Sequence, residues 1–364
     1  MTARTRPDLE SLRAYVPGRN IPGAVKLASN EVPAGPLPSV VVAIADAAAN
    51  VNFYPDNGVA ALVERLAARL GVPQSHVATG CGSVMLCQQL VQVTCGRDDE
   101  VLFAWPSFEA YPLITQVAGV RQCMVALRPD HTHDLPAMLD AITPATRLVF
   151  VCNPNNPTGT AVRREELVAF LDAVPGGVLV ALDEAYHEFV TDPAVPDGLA
   201  LQRGRDNLAV LRTFSKAYGL AGLRVGYCVA PEAITTALRK VYVPFSVNSL
   251  AQVAALASLD VADELLARCQ GITDERDRVR AELLAMGYPV PDSQANFLWL
   301  PLGEHTTAFN NHCLDHKIVI RAFPNTGARI TTGTPTDNDI FLTAARTFPH
   351  RPHSAGSAGL LAPG

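Results

Sequence analysis

The sequence has no apolar stretch of 18 residues, the length a helix needs to cross a bilayer. Residues 1–20 carry charges throughout and no apolar core of the kind a secretory leader needs, so no signal peptide is expected. Its eight cysteines (81, 87, 95, 123, 152, 228, 269 and 313) form no C-x-x-C pair. Most lie in apolar runs, as reduced and buried thiols do, and a cytoplasmic home is expected. Positive charge is scarce: Lys and Arg total 29 against 35 Asp and Glu, a net charge of -6. That balance argues against general binding to nucleic acid or an anionic membrane, where phosphate contacts need a basic surface. It leaves room for a small anionic substrate held by a few local arginines. No internal repeat and no coiled-coil heptad is present.

Apolar residues make up 48% and charged residues 18% of the 364, enough for two domains or one large α/β domain around a sizeable core. From about residue 60, helical and strand-type segments alternate: a helix over 59–70, then one opening at Ser83 and running through Val93. Strand-type runs cover 77–79, 100–105, 122–127, 148–152, 178–182, 208–213 and 225–230. This alternation predicts an α/β fold with a mostly parallel seven-stranded sheet covered on both faces. Ligands in such sheets lie beyond the strand C-termini. A helix over 38–50 precedes this region, and a long helix over 247–266 follows it, with further helix over 276–286. Strand signals at 297–300, 318–321 and 328–332, the last two joined by a turn at 324–327, predict a smaller α+β unit. The expected division is a large domain over 36–262 and a small one made of 1–35 and 263–349, with an N-terminal arm. A mobile tail is expected over 350–364, which is rich in Ser, Gly, Ala and Pro.

The stretch Thr213-Phe-Ser-Lys-Ala-Tyr-Gly-Leu-Ala-Gly-Leu-Arg224 organises the chemistry. Lys216 falls just past a strand end, between Ser215 and Arg224, a hydroxyl and a planar, always-charged fork that can both hold phosphate. An amine so placed suits covalent capture of a phosphorylated aldehyde. By itself the stretch also reads as a surface lysine before a Gly-rich loop. Asp183 stands 33 residues earlier, at the end of the 178–182 strand. A carboxylate there can keep a pyridine nitrogen protonated, or it can cap the segment that follows. Gly80-Cys-Gly82-Ser83 opens a helix, a turn whose backbone N–H groups can approach a phosphate. Asn30 could face a ligand or merely shape a turn.

Taken together and in order, these motifs resemble the fold-type I pyridoxal-phosphate aminotransferases of the histidinol-phosphate and aromatic aminotransferase group. The matching pieces are Ser-Asn30-Glu, Tyr54-Pro-Asp, Gly80-x-Gly-Ser83, Asn153-Pro-Asn-Asn-Pro-Thr-Gly, Asp183-Glu-Ala-Tyr186, the Lys216 stretch and Arg329-Ile-Thr. They run from residue 15 to about 335, nearly the whole chain. The resemblance implies pyridoxal 5'-phosphate as cofactor, carried by Lys216, which also moves the substrate α-proton. It implies that Asp183 pairs with the ring nitrogen, that Asn156 and Tyr186 bond the phenolic oxygen, and that Phe108 stacks on the ring. Gly82, Ser83, Ser215 and Arg224 would hold the phosphate, joined by Tyr54 from the neighbouring subunit of a homodimer. Tyr15, Asn30 and Arg321 would line the substrate side, with Arg329 receiving the substrate's anionic group.

Two departures bear on the substrate. Val84-Met85 stands where the histidinol-phosphate enzymes commonly have an acidic pair, and Phe108 where they commonly have Tyr. The wording Gly-Cys-Gly-Ser-Val and Pro-Ser-Phe-Glu-Ala-Tyr resembles an actinobacterial aromatic or phenylalanine subgroup. The expected reaction is therefore transfer of an amino group between an aromatic amino acid and a 2-oxo acid such as 2-oxoglutarate, with histidinol phosphate as the alternative donor. A lyase or decarboxylase on the same scaffold is a third reading, because the lysine alone does not decide which bond to Cα breaks. A regulator would need a DNA-binding module, and neither end offers the length or basic charge for one. His312-Cys313-x-x-His316 places two imidazoles on one helix face, but no convincing third ligand lies nearby, and no metal is expected.

Overall fold

The computed structural model describes residues 4–10, 19 and 21–349; Tyr15 and the expected tail over 350–364 lie outside the described residues. Seven strands form the larger sheet: β2 (Val77–Gly80), β3 (Glu100–Trp105), β4 (Arg121–Ala126), β5 (Thr146–Cys152), β6 (Leu179–Asp183), β7 (Leu208–Thr213) and β8 (Gly226–Val229). Their spatial order is β2-β8-β7-β6-β5-β3-β4. All run parallel except β8, which is antiparallel to both neighbours. The central strands are apolar along most of their length because both faces are covered. Leu86, Leu90, Phe103, Tyr111 and Phe150 pack on one face, Met138, Val149, Phe170, Val180 and Val210 on the other. A parallel sheet gathers its strand C-termini on one edge, and that edge carries the chemistry.

Helices cover the sheet, beginning with α1 (Pro38–Ala48), α2 (Ala60–Leu70), α3 (Ser83–Thr94) and α4 (Ala110–Ala118). The helix expected over 247–266 is in fact two. Ser249–Asp260 ends where Val261 leaves helical geometry (φ -117°, ψ 27°), and a 24-residue helix, Ala262–Ala285, begins at once. No Pro or Gly stands at the break, so it is hidden from sequence. The same second helix takes in the segment expected over 276–286. Its buried Arg276 donates to the carbonyls of Phe189 (3.1 Å) and Ala295 (3.2 Å), tying the loop after β6 to the approach to the smaller sheet.

That smaller sheet has the order β1-β10-β11-β9, from β1 (Val25–Leu27), β9 (Phe297–Leu300), β10 (Ile318–Phe323) and β11 (Gly327–Thr331). β1 pairs in parallel with β10, and the other pairings are antiparallel. Tyr288, Phe309 and Phe341 fill the space beneath it. Pairing β1 to β10 has a consequence for the site: it carries Ala28, Ser29 and Asn30 to the C-terminal edge of the larger sheet.

His133 is buried, and burial holds its imidazole down at a pKa of about 4. Unfolded, it would titrate near 6.5. Acid therefore favours the unfolded chain: stability is undiminished by this group above about pH 6.5 and falls as pH drops toward 4. At pH 5 the penalty is about 2 kcal/mol. His133→Asn should narrow the gap in thermal midpoint between pH 7 and pH 5. A gap equal to the wild-type one would assign the acid sensitivity to other groups.

Candidate active site

A cavity of about 420 Å³ lies where the C-terminal edge of the larger sheet meets the smaller sheet and the segment after β1. Lys216 reaches it from the turn after β7, and its Nζ donates to the carbonyl of Ser29 at 3.1 Å. Removal from water, with the Arg329 charge nearby, lowers this amine to about 7. Asp183, the last residue of β6, faces the same cavity. Its Oδ2 accepts from the Tyr111 hydroxyl (2.9 Å) and its Oδ1 from the Ala185 amide (3.2 Å). Burial raises its carboxyl to about 6, against the pull of the Tyr111 hydrogen bond. The short helical turn beyond, His187–Phe189, takes no side-chain cap from Asp183.

An adjoining pair holds these two strand ends together. Arg212 on β7 grips Glu184 through Nε (3.0 Å) and Nη2 (2.8 Å), and Nη2 also donates to Asp197 at 2.6 Å. Glu184 and Arg212 are both buried, so removing one partner would strand a charge at a cost of about 3–5 kcal/mol. Glu184, His187 and Asp197 converge closely enough to suggest a cation site, but the Arg212 guanidinium already supplies the positive charge there. The imidazoles of His312 and His316 also have other partners: each contacts a backbone carbonyl, of Ala344 (2.9 Å) and His312 (2.8 Å) respectively.

At one end of the cavity the chain builds an anion cradle. Ser83 begins the 12-residue α3, whose N-terminal amides and dipole favour negative charge. Ser215 and Arg224 stand opposite, with Arg224 Nη1 donating to Ser215 Oγ at 3.3 Å. Gly82 takes a left-handed φ of 76°, and a Cβ there would collide with the Arg224 guanidinium. A second glycine, Gly226 on β8, is equally constrained. A Cβ on it would lie 2.6 Å from the Ser83 amide nitrogen and 3.0 Å from the Gly82 carbonyl carbon.

Across the cavity, Arg329 on β11 donates to the Ala28 carbonyl (2.6 Å) and to Asn156 Oδ1 (2.5 Å). Asn30, at a left-handed φ of 54°, donates through Nδ2 to the Tyr186 hydroxyl (2.9 Å) and is fastened to Thr331 through its amide and Oδ1. Lys216 lies over the Tyr186 ring at 5.8 Å. Phe108, Val84 and Leu113 line an apolar wall, which Met85 does not join. Arg321 also lines the cavity, in a two-pronged pair with Glu109. Tyr54 does not reach this cavity. It is 82% exposed and stacks on Phe245 with ring centroids 4.6 Å apart.

Three residues of the site escaped the motif reading: Tyr111, Glu109 and Gly226. Tyr111 and Glu109 belong to the Pro-Ser-Phe-Glu-Ala-Tyr segment, whose wording was informative, but their partners are far away in sequence. Gly226 sits in an ordinary strand, with no local signal for the close approach it permits. Gly226→Ala should displace the α3 entry turn and weaken anion binding in the cradle by about tenfold or more, read by calorimetric titration with inorganic phosphate. Unaltered affinity would show that the cradle tolerates the shift.

A family model for aminotransferases of class I and II matches residues 22–344. A curated aromatic amino acid aminotransferase of Rhodococcus jostii is 61% identical over 345 residues, 95% of this chain and 96% of that protein. One from Mycolicibacterium smegmatis is 56% identical over 348 residues, covering 96% of each. Among solved structures, histidinol-phosphate aminotransferase of Sinorhizobium meliloti in complex with pyridoxal-5'-phosphate superposes with a TM-score of 0.87. It is 30% identical and the match covers 95% of this chain and 97% of that one. On this similarity, and with a lysine, a carboxylate and an anion cradle brought to one cavity, the chain belongs to the class I and II aminotransferases.

Proposed function

We propose that this chain is a pyridoxal-phosphate-dependent aromatic amino acid aminotransferase, moving the amino group of phenylalanine or tyrosine to a 2-oxo acid such as 2-oxoglutarate. The observation that carries the reading is Lys216, whose amine, lowered to about 7, is neutral in roughly half the molecules at neutral pH. A neutral amine can capture an aldehyde and can then take and return a proton at the substrate Cα.

The surrounding donors fit the cofactor. Ser83, Ser215, Arg224 and the α3 amides match a phosphate, and the glycine at 82 keeps that space open. Asp183 lies at the opposite side of the lysine from Arg329 in chemical role: an anion suited to hold a proton on a ring nitrogen. When bound, pyridoxal phosphate supplies a sink for the electron pair left at Cα. Asn156, with its Oδ1 engaged by Arg329, offers Nδ2 to the phenolic oxygen, and the Tyr186 hydroxyl serves beside it. Phe108 covers the ring face. Arg329, pre-positioned by Ala28 and Asn156, receives the substrate carboxylate through its planar fork. The apolar wall of Val84, Phe108 and Leu113 suits an aromatic side chain, in line with the names of the most similar curated relatives.

On this reading residues 36–262 make up the cofactor-binding domain, with 1–35 and 263–349 as the smaller one, and Tyr15 on the substrate side. The working unit is a homodimer. Val41, Val42, Val51, Phe53, Tyr54, Val243 and Phe245 are exposed apolar side chains, all β-branched or aromatic, with Phe245 stacked on Tyr54, and a second copy would cover them. Tyr54 would then reach the partner's cofactor phosphate. A cytoplasmic location accords with eight unpaired cysteines and with the absence, among the described residues, of any helix long and apolar enough to cross a membrane.

Borohydride reduction of the loaded enzyme should fix the cofactor to the peptide containing Lys216, and Lys216→Ala should abolish transamination. By kcat/KM, phenylalanine or tyrosine should outperform histidinol phosphate as donor; the reverse order would select the alternative substrate. The shared site is checked by co-refolding Lys216→Ala with Tyr54→Asp. Action of Tyr54 across the interface restores about a quarter of native sites, whereas action within one chain restores none.

A further inference from the structure

The two cavity arginines sit in different electrostatic surroundings. Arg329 donates to neutral oxygens, those of Ala28 and Asn156. Arg321 donates to a carboxylate, from Nε to Glu109 Oε2 at 3.0 Å and from Nη2 to Glu109 Oε1 at 2.6 Å. This is the fork-to-fork geometry in which a guanidinium recognises a carboxylate or a phosphate. Both side chains are largely covered, at 16% and 30% exposure, so the pair is less weakened by solvent than an open surface pair. Glu109 lies between Phe108 and the start of α4, and Arg321 lies on β10, so the pair spans the cavity from one sheet system to the other.

We propose that Glu109 is a specificity-determining residue: its carboxylate occupies Arg321 as an internal anion and disfavours substrates that carry a second negative group. The inference rests on the aminotransferase reading above. A donor with one carboxylate and an uncharged side chain leaves the pair closed and places that side chain along Phe108, Val84 and Leu113. A donor with a distal carboxylate, such as glutamate or aspartate, must pull Arg321 away from Glu109. Glu109 is then left beside a second anion in a partly desolvated cavity, where like charges repel more than in water. A dicarboxylic acceptor meets the same obstacle, so the pair has to open in that half-reaction. Discrimination here comes from a repulsive element built into the site as well as from the apolar wall.

The test uses the loaded enzyme as wild type, Glu109→Gln, Arg321→Gln and the double variant. Three quantities are measured: the ratio of kcat/KM for glutamate to that for phenylalanine, the KM for 2-oxoglutarate, and the inhibition constant of inorganic phosphate against phenylalanine. In Glu109→Gln the ratio should rise about tenfold, and the KM and the phosphate constant should each fall by a similar factor. Adding Arg321→Gln should erase all three gains. In the wild-type background, Arg321→Gln should weaken phosphate inhibition, because it leaves the Glu109 carboxylate unpaired in the cavity, and the double variant should restore it. This arm decides the matter even if Glu109→Gln fails to fold: undiminished phosphate inhibition there would mean that the Glu109 charge does not act on anions in the cavity, and would overturn the proposal. So would an unchanged ratio in Glu109→Gln, or gains that persist in the double variant. Absence of transamination of any aromatic donor by the wild type would instead remove the aromatic reading itself.

Discussion

A basic amine and a carboxylate withdrawn from water into one small cavity set the terms for everything around them. Desolvation acts on the two in opposite directions, taking Lys216 down to about 7 and Asp183 up to about 6. Each charge is tolerable only because fixed donors and acceptors replace water: the Ser29 carbonyl for the amine, the Tyr111 hydroxyl and Ala185 amide for the carboxylate. Those partners come from three different parts of the chain. The site therefore depends on the packing that holds them in register, and the chemistry and the fold cannot be separated.

Two devices provide that packing. Within the larger sheet, the buried Arg212–Glu184 pair joins β7 to the segment after β6, immediately beside Lys216 and Asp183. Between the sheets, the pairing of β1 with β10 delivers Ala28, Ser29 and Asn30 to the cavity, where Arg329 and Thr331 of β11 receive them. Asn30 adopts its left-handed backbone inside this network of hydrogen bonds, which offsets a local cost of about 1 kcal/mol or more. The short N-terminal strand is thus part of the active centre rather than a decoration of the smaller sheet.

Charge placement then shapes what the cavity can admit. One arginine, Arg329, donates to the neutral oxygens of Ala28 and Asn156; the other, Arg321, is paired with Glu109. Between them runs a wall of Val84, Phe108 and Leu113. Such a site concentrates its free polarity at one end, which is how a pocket can prefer a neutral aromatic side chain to one that ends in a second carboxylate.

The sequence by itself determined the alternation of seven apolar strands with helices, because burial on both faces demands continuous apolar runs. Its motifs also singled out Lys216, Asp183, Ser215, Arg224 and Arg329, all of which line the cavity; Asp183 ends such a run and Ser215 and Lys216 follow one. Only the tertiary structure decided the rest. The break at Val261 carries no Pro or Gly to mark it. Tyr111 meets Asp183 72 residues away, Glu109 meets Arg321 at a separation of 212, and Gly226 makes room for a turn formed by residues 82 and 83. Contacts of that kind are set by how layers stack and which strand lies next to which, quantities that no local spacing in the chain encodes.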